Sequence, residues 1–167
     1  MEFTSDIIFK DKKIRKICDY FHEKHKIFEN NVEVCVLAAA LGYGLGYITS
    51  DSSDEDCIPV NLPRSVINRG YNNEKIMFIL QSHFLQEKNI PIKERLQLSF
   101  SNSEEYTSRR TEILKGYINT GAHYIYEKIE DFDNPSECMD TLHEICEEIL
   151  NTVRYKVANE DLKDELL

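Results

Sequence analysis

The sequence lacks the features of a membrane or secreted protein. No apolar run approaches the ~20 residues that a membrane-spanning helix needs, and the first residues do not read as a signal peptide. The five cysteines (Cys18, Cys35, Cys57, Cys138 and Cys146) are an odd number, which does not suit a framework of disulfides. We therefore expect a cytoplasmic protein that keeps its thiols free.

The sequence also lacks the motifs of the common enzyme and nucleotide-binding classes. It has no Gly-x-Ser-x-Gly element, and its histidines, cysteines and acids show no order typical of a nucleophile and its base. The glycines at 42, 44 and 46 follow a predicted helix and no Gly-Lys-Ser/Thr comes after them, whereas a phosphate loop precedes its helix. We expect no catalytic activity and no cofactor.

Two groups of side chains leave a metal site open as an alternative. His22 and His25 on one predicted helix, and Cys138, His143 and Cys146 on another, are ligand types that zinc prefers. Neither set makes a four-ligand site by itself. The acids of the loop 51–57 are ligand types for Ca²⁺ or Mg²⁺, but their spacing is not that of an EF-hand. A solvated loop and no bound metal are the simpler prediction.

Charge is distributed unevenly along the chain. Twenty basic and thirty acidic residues give a net charge of −10, which disfavours binding to bare phosphate backbones. Residues 10–26 nevertheless carry seven Lys or Arg against three acids, and residues 127–167 carry thirteen acids against four bases. Two solvated faces are the simplest interpretation; an electrostatic fit within the chain or between subunits is the alternative. The candidates for nucleic-acid contact are Lys10, Lys12, Lys13, Arg15 and Lys16.

The segment 31–42 is predicted to form the centre of the fold. After Glu33 it carries no charge, and a helix that is apolar all round belongs in a core. Its successive alanines, 38–40, favour a helix and allow a neighbouring backbone to come close. We expect Asn31 to cap the start of this helix and Gly42 to end it in the left-handed conformation.

Apolar residues spaced by three and four predict further helices around this segment. They begin near Asp11, Asn72, Ser103 and Ser136. Gly121 lies on the apolar face of the third, which indicates that another helix crosses there at close range. The alternation Leu96-Leu98-Phe100 leaves residues 92–102 undecided between strand and helix.

These patterns predict a mainly all-α fold. We expect one helical domain over 1–158, a compact bundle of about five helices around the Ala-rich central helix. The apolar run Ile7-Ile8-Phe9 could add one small strand pair. The charged tail, 159–167, is expected to fray.

The helix after Ser136 has the cleanest amphipathic pattern in the sequence, and we expect Ser136 to cap it. Its apolar stripe is a candidate interface, either with a different protein or with a second copy through residues 136–156. The candidate partner-interface residues are Met139, Leu142, Cys146, Ile149 and Val153.

Two segments, read together, resemble one protein family. They are FENNVEVCVLAAALGY at 28–43 and RTEILKGYINTG at 110–121. The family is that of the Dnd system-associated protein 4 (DNA phosphorothioation-associated protein 4), in which a similar Ala-Ala-Ala-Leu-Gly-aromatic segment precedes a later Glu-x-Tyr-Ala-Asn-x-Gly helix. This chain departs from the pattern where Lys115-Gly116 replaces the glutamate and where Ile118 replaces the alanine.

The resemblance implies a bacterial protein encoded beside genes for DNA modification or anti-phage defence. It carries over no catalytic residue, and the matching residues are implied to be structural. Gly42 would be a helix cap and Gly121 a crossing point, while Tyr117 and Asn119 would make a buried polar contact.

We therefore expect a non-catalytic accessory subunit of a defence complex, which acts by contacting a larger ATPase or nuclease subunit. The alternative is a regulatory protein that binds DNA through the basic helix 10–26, or that mimics DNA with its acidic C-terminal helix. As an accessory subunit, the protein could still contact DNA weakly or indirectly. Neither hypothesis involves a membrane.

Overall fold

The computed structural model describes residues 2–50, 54–129 and 131–164, and side chains as far as residue 152. The described part is mainly helical, as predicted, with one two-stranded sheet. The elements are β1 (Ile7–Phe9), α1 (Lys12–Cys18), a π-helical turn (Asp19–Lys24), α2 (Asn31–Leu45), β2 (Val60–Leu62), α3 (Arg64–Ile67), α4 (Gly70–Gln86), α5 (Ile92–Phe100), α6 (Glu104–Lys128) and α7 (Pro135–Asp164).

Helix α2 lies at the centre of the bundle, as its apolar sequence predicts. Helices α1, α4, α6 and α7 all pack on it. Along its length Val32, Val34, Cys35, Ala38 and Ala39 are buried. The helix is therefore stabilised by packing on several sides rather than along one stripe.

The predicted caps of α2 are wrong in position at both ends. Asn30, not Asn31, caps the start: its side chain accepts a hydrogen bond from the Glu33 backbone N–H at 3.1 Å, and the Glu33 carboxylate accepts from the Glu29 N–H. Gly46, not Gly42, ends the helix with a φ of 79°. Gly42, the first of the glycines at 42, 44 and 46, instead packs against another helix.

Gly42 and Gly121 face each other where α2 crosses α6. A Cβ atom at Gly42 would overlap the carbonyl oxygen of Tyr117, and one at Gly121 would overlap the carbonyl oxygen of Ala38. The predicted close crossing at Gly121 is confirmed. Glycine is required at both positions because the backbone of each helix occupies the space that a side chain of the other would need.

A partly buried polar pair lies beside this crossing. The Tyr117 hydroxyl is hydrogen-bonded to His83 Nδ1 at 2.8 Å, so the polar contact predicted for Tyr117 is confirmed. Burial raises the pKa of Tyr117 to about 12 and lowers the pKa of His83. Asn119 is fully buried as well.

The two strands close one end of the core. β1 and β2 are antiparallel, with Ile7 opposite Leu62 and Phe9 opposite Val60. These four side chains are buried, while Ile8 and Asn61 between them face outward. The strand pair left open by the sequence is thus present, and it covers α1 and α2 with its apolar face.

Helix α7 begins two residues earlier than predicted. Asn134, not Ser136, caps it by accepting from the Glu137 backbone N–H at 3.3 Å, and Pro135 takes the first helical position. Residues 51–53 of the predicted acidic loop and residues 165–167 of the predicted tail lie outside the described residues. No helix in the described ranges is long and apolar enough to cross a membrane.

We expect Gly42→Ala and Gly121→Ala each to lower the free energy of unfolding by about 1–3 kcal/mol or more, because the added methyl forces the two helices apart. Urea unfolding followed by circular dichroism measures this change. Gly70→Ala at the start of α4 is the matched control. Nothing lies within 4 Å of its added methyl, so its stability should be unchanged or slightly raised. A Gly121→Ala variant as stable as Gly70→Ala would contradict the assignment.

Candidate protein-interaction site

Helix α5 turns its largest apolar side chains to solvent. Ile92, Leu96 and Phe100 are exposed by 58%, 46% and 56%. Their spacing of four residues places them on one helical face, while Leu98 and Ser99 are buried on the other. We name Ile92, Leu96 and Phe100 the α5 face. A set of three neighbouring apolar side chains in water is typical of an interaction site.

A buried arginine of α6 holds this helix in place. Arg110 is 1% exposed. Its guanidinium donates to the carbonyl oxygens of Leu98 at 2.8 Å and Ser101 at 2.7 Å, and to the Thr107 hydroxyl at 3.0 Å. Leu98 and Ser101 lie at the C-terminal end of α5, where unpaired carbonyls favour a cation. Desolvation lowers the pKa of Arg110, but an arginine keeps its charge in a protein.

Further polar contacts fix the same helix to α4 and α6. On the α4 side, Gln81 donates to the carbonyl of Ser99 at 3.4 Å, and Arg95 donates to the carbonyl of Leu85 at 2.9 Å. On the α6 side, Arg109 pairs with Glu94 at 2.9 Å, and the Tyr106 hydroxyl donates to Gln97 at 3.0 Å. The α5 face is therefore presented on a rigid support, which lowers the entropy that binding would cost.

The residues predicted to contact nucleic acid lie on or beside α1, and most of their charge is met within the chain. Lys13 pairs with Glu127 at 2.6 Å, Arg15 pairs with Asp19 and Glu23, and Lys12 lies 3.9 Å from Asp54. Lys16 lies over the ring of Phe132, and Lys10 is exposed. Lys24 adds a pair with Asp133 at 2.8 Å. An electrostatic fit within the chain, the alternative that the sequence left open, is what the structure contains.

The predicted partner-interface stripe on α7 faces the chain's own core. Leu142 and Ile149 are buried, Cys146 is partly buried, and Met139 is exposed by 40%. Val153 has no described side chain. A partner would reach Leu142 and Ile149 only if α7 moved away from α2 and α6. Of this set, Met139 is the member that the described structure leaves accessible.

The structure does not assemble the alternative metal site. Among the described residues, no three His, Cys, Asp or Glu side chains come together in a way that could hold a metal ion. His22 is instead hydrogen-bonded through Nδ1 to the carbonyl of Phe28 at 3.1 Å. Cys138 is buried next to Tyr20, and burial raises the pKa of its thiol. The described structure therefore does not bring His22, His25, Cys138 and Cys146 together as one ligand set.

Residues 92–100, which the apolar alternation leaves undecided between strand and helix, carry two signs of a helix in their sequence. Pro91 directly precedes Ile92, and proline is common at a helix start. Ile92, Leu96 and Phe100 then recur every four residues, which fits a helix better than the alternation Leu96-Leu98-Phe100 fits a strand. The local sequence does not predict that this face points away from the core.

Comparison with known proteins identifies no relative. No family model matches the chain, and neither a curated protein nor a solved structure matches it.

We expect Arg110→Met to lower the free energy of unfolding by about 3 kcal/mol, because it leaves two buried carbonyls and a hydroxyl without their donor. Thermal or urea unfolding measures the loss. Arg109→Met is the matched control on the neighbouring residue: its exposed pair with Glu94 contributes less than about 1 kcal/mol. Equal losses for the two variants would show that Arg110 does not anchor α5.

Proposed function

We propose that this protein is a non-catalytic accessory subunit of a bacterial anti-phage or DNA-modification-associated defence complex, and that it binds a larger ATPase or nuclease subunit. The defence context rests on the resemblance of residues 28–43 and 110–121 to the Dnd system-associated family. The subunit role rests on the α5 face.

The observation that carries the proposal is the contrast between how α5 is held and what it presents. A buried charge is costly unless it is fully hydrogen-bonded. The charge of Arg110 is offset by hydrogen bonds to the carbonyls of α5, and the helix held by these bonds exposes three large apolar side chains to water. A rigid apolar patch with a polar rim matches the anatomy of protein–protein interfaces. Lys93 and Gln97, which lie between the apolar residues, supply such a rim.

The alternative, a protein that binds or mimics DNA, has less support. Phosphate contact needs lysines and arginines whose charges are available, and on α1 most of these charges already pair with carboxylates of the same chain. Glu137, Asp140 and Glu144 form an exposed acidic stripe on α7, but a stripe of acids on a solvated helix is also the ordinary condition of a protein surface.

The test is co-expression with the ATPase or nuclease encoded beside the gene, followed by size-exclusion chromatography with light scattering. We expect a co-eluting complex, and we expect Leu96→Asp to weaken it by about tenfold or more, because a charge then replaces an apolar anchor.

The matched control is Ile58→Asp, since Ile58 is an equally apolar side chain that is 69% exposed in the loop before β2. This variant should bind like the wild type. Failure of the neighbouring subunits to co-elute, or equal loss for Leu96→Asp and Ile58→Asp, would refute the proposal. Binding to DNA that falls steeply with salt, and that is lost on Lys12/Lys13/Lys16→Glu substitution, would favour the alternative.

A further inference from the structure

An open apolar groove of about 740 Å³ runs between α2 and α4. On the α2 side it is lined by Val36, Leu37 and Ala40, and on the α4 side by Tyr71, Glu74, Lys75 and Phe78. The two aromatic side chains are largely exposed, at 71% for Tyr71 and 70% for Phe78. An apolar depression thus lies directly beside two protruding aromatic side chains.

The α4 wall of this groove has an aromatic residue at each end and two opposite charges between them. Along the chain it is aromatic, acid, base, aromatic: Tyr71, Glu74, Lys75 and Phe78. Residues three, four and seven positions apart share one helical face, so all four side chains point to the same side of α4. The point midway between Glu74 and Lys75 is also midway between Tyr71 and Phe78.

This pattern determines what would fit it. When two copies of α4 pack antiparallel about a two-fold axis at that midpoint, Glu74 lies opposite the partner's Lys75, and Tyr71 lies opposite the partner's Phe78. A two-fold interface uses the same patch on both subunits, so the patch as a whole must be complementary to itself, and every contact occurs twice. Opposite charges meet in two reciprocal pairs, and aromatic side chains pack against each other at both ends.

We propose that this face of α4, with the adjoining groove, is the site of homodimer formation. Each copy inserts Phe78 or Tyr71 toward the groove of the other, where Val36, Leu37 and Ala40 provide an apolar floor. A partner of a different kind would not require a wall that is complementary to itself, which is why the pattern favours a second copy.

The location also suits association of two acidic chains. Residues 64–100, which contain α4 and α5, carry six bases against three acids, whereas the chain as a whole has a net charge of −10. Electrostatic repulsion between two copies is therefore weaker at this face than at the acidic helix α7, where residues 136–156 were predicted to form such a contact. The interface lies on side chains other than the α5 face, so the inference goes beyond the proposed function and does not depend on it.

Sedimentation of the full chain between about 5 and 200 μM, a range suited to an interface of modest size, tests the proposal. The wild type should convert from the 19.6 kDa monomer to a species of twice that mass as concentration rises. Glu74→Lys puts two lysines opposite two lysines, and Lys75→Glu puts two glutamates opposite two glutamates. Each variant alone should dimerise at least about tenfold more weakly.

The decisive experiment mixes the two charge-reversal variants. Combined in equal amounts, the Glu74→Lys and Lys75→Glu chains should form a heterodimer, since every charge then meets its opposite, and the double variant Glu74→Lys/Lys75→Glu should regain self-association. Both residues are exposed in the N-terminal half of α4, so the fold should survive, and circular dichroism checks this. Glu112→Lys and Lys10→Glu are the controls for charge alone, because they make the same changes at exposed positions elsewhere in the fold.

A wild-type chain that stays monomeric throughout this range would overturn the proposal. So would a dimer that neither reversal weakens, which would place the interface elsewhere, or a mixture of the two variants that remains monomeric. A Glu74→Lys variant that no longer dimerises but still co-elutes with the ATPase or nuclease would show that this surface and the α5 face act separately. A Leu96→Asp variant that still dimerises but no longer co-elutes would show the same.

Discussion

Helices α2 and α6 meet where neither carries a side chain to keep them apart, and the remaining elements are arranged around that contact. Gly42 and Gly121 let the two backbones touch, which brings Tyr117 to His83 and orients α6 along the core. Because α6 also carries Arg110, the position of α5 depends on the same crossing. A shift of α6 would therefore change the surface that the protein presents to its surroundings.

Charge acts in this molecule at two different scales. Locally, Lys13 of α1 pairs with Glu127 at the end of α6, and Lys24 of the π-helical turn pairs with Asp133 in the segment that follows, so a stretch that looks cationic in the sequence is largely neutralised in the fold. At the scale of the whole chain, a net charge of −10 persists and is concentrated after residue 127. Such a field disfavours polyanions in general, and it makes the α4–α5 side, where bases outnumber acids, less repulsive to a second copy than α7.

The sequence predicted the parts of the fold that depend on local periodicity and on single residues with a narrow physical role. The apolar segment from Val34 to Ala40 had to be central, and Gly121 on an apolar face had to mark a close crossing. Gly42 was harder, because a glycine that ends a helix and a glycine that admits a neighbour look identical until the neighbour is placed. The α5 face and the inward stripe of α7 could not be told apart either, since both are apolar residues at helical spacing and only tertiary packing decides which one faces water.

In α5, the groups that hold the helix in place are different from the side chains that it presents to solvent. Arg110 holds the helix by main-chain carbonyls, those of Leu98 and Ser101, and Gln81 likewise binds a main-chain oxygen. None of these bonds depends on the side chains at 92, 96 or 100. The outward residues are thus free to change during evolution without loosening the scaffold beneath them. A lineage could alter what this helix recognises, one exposed residue at a time, while its place in the fold stayed the same.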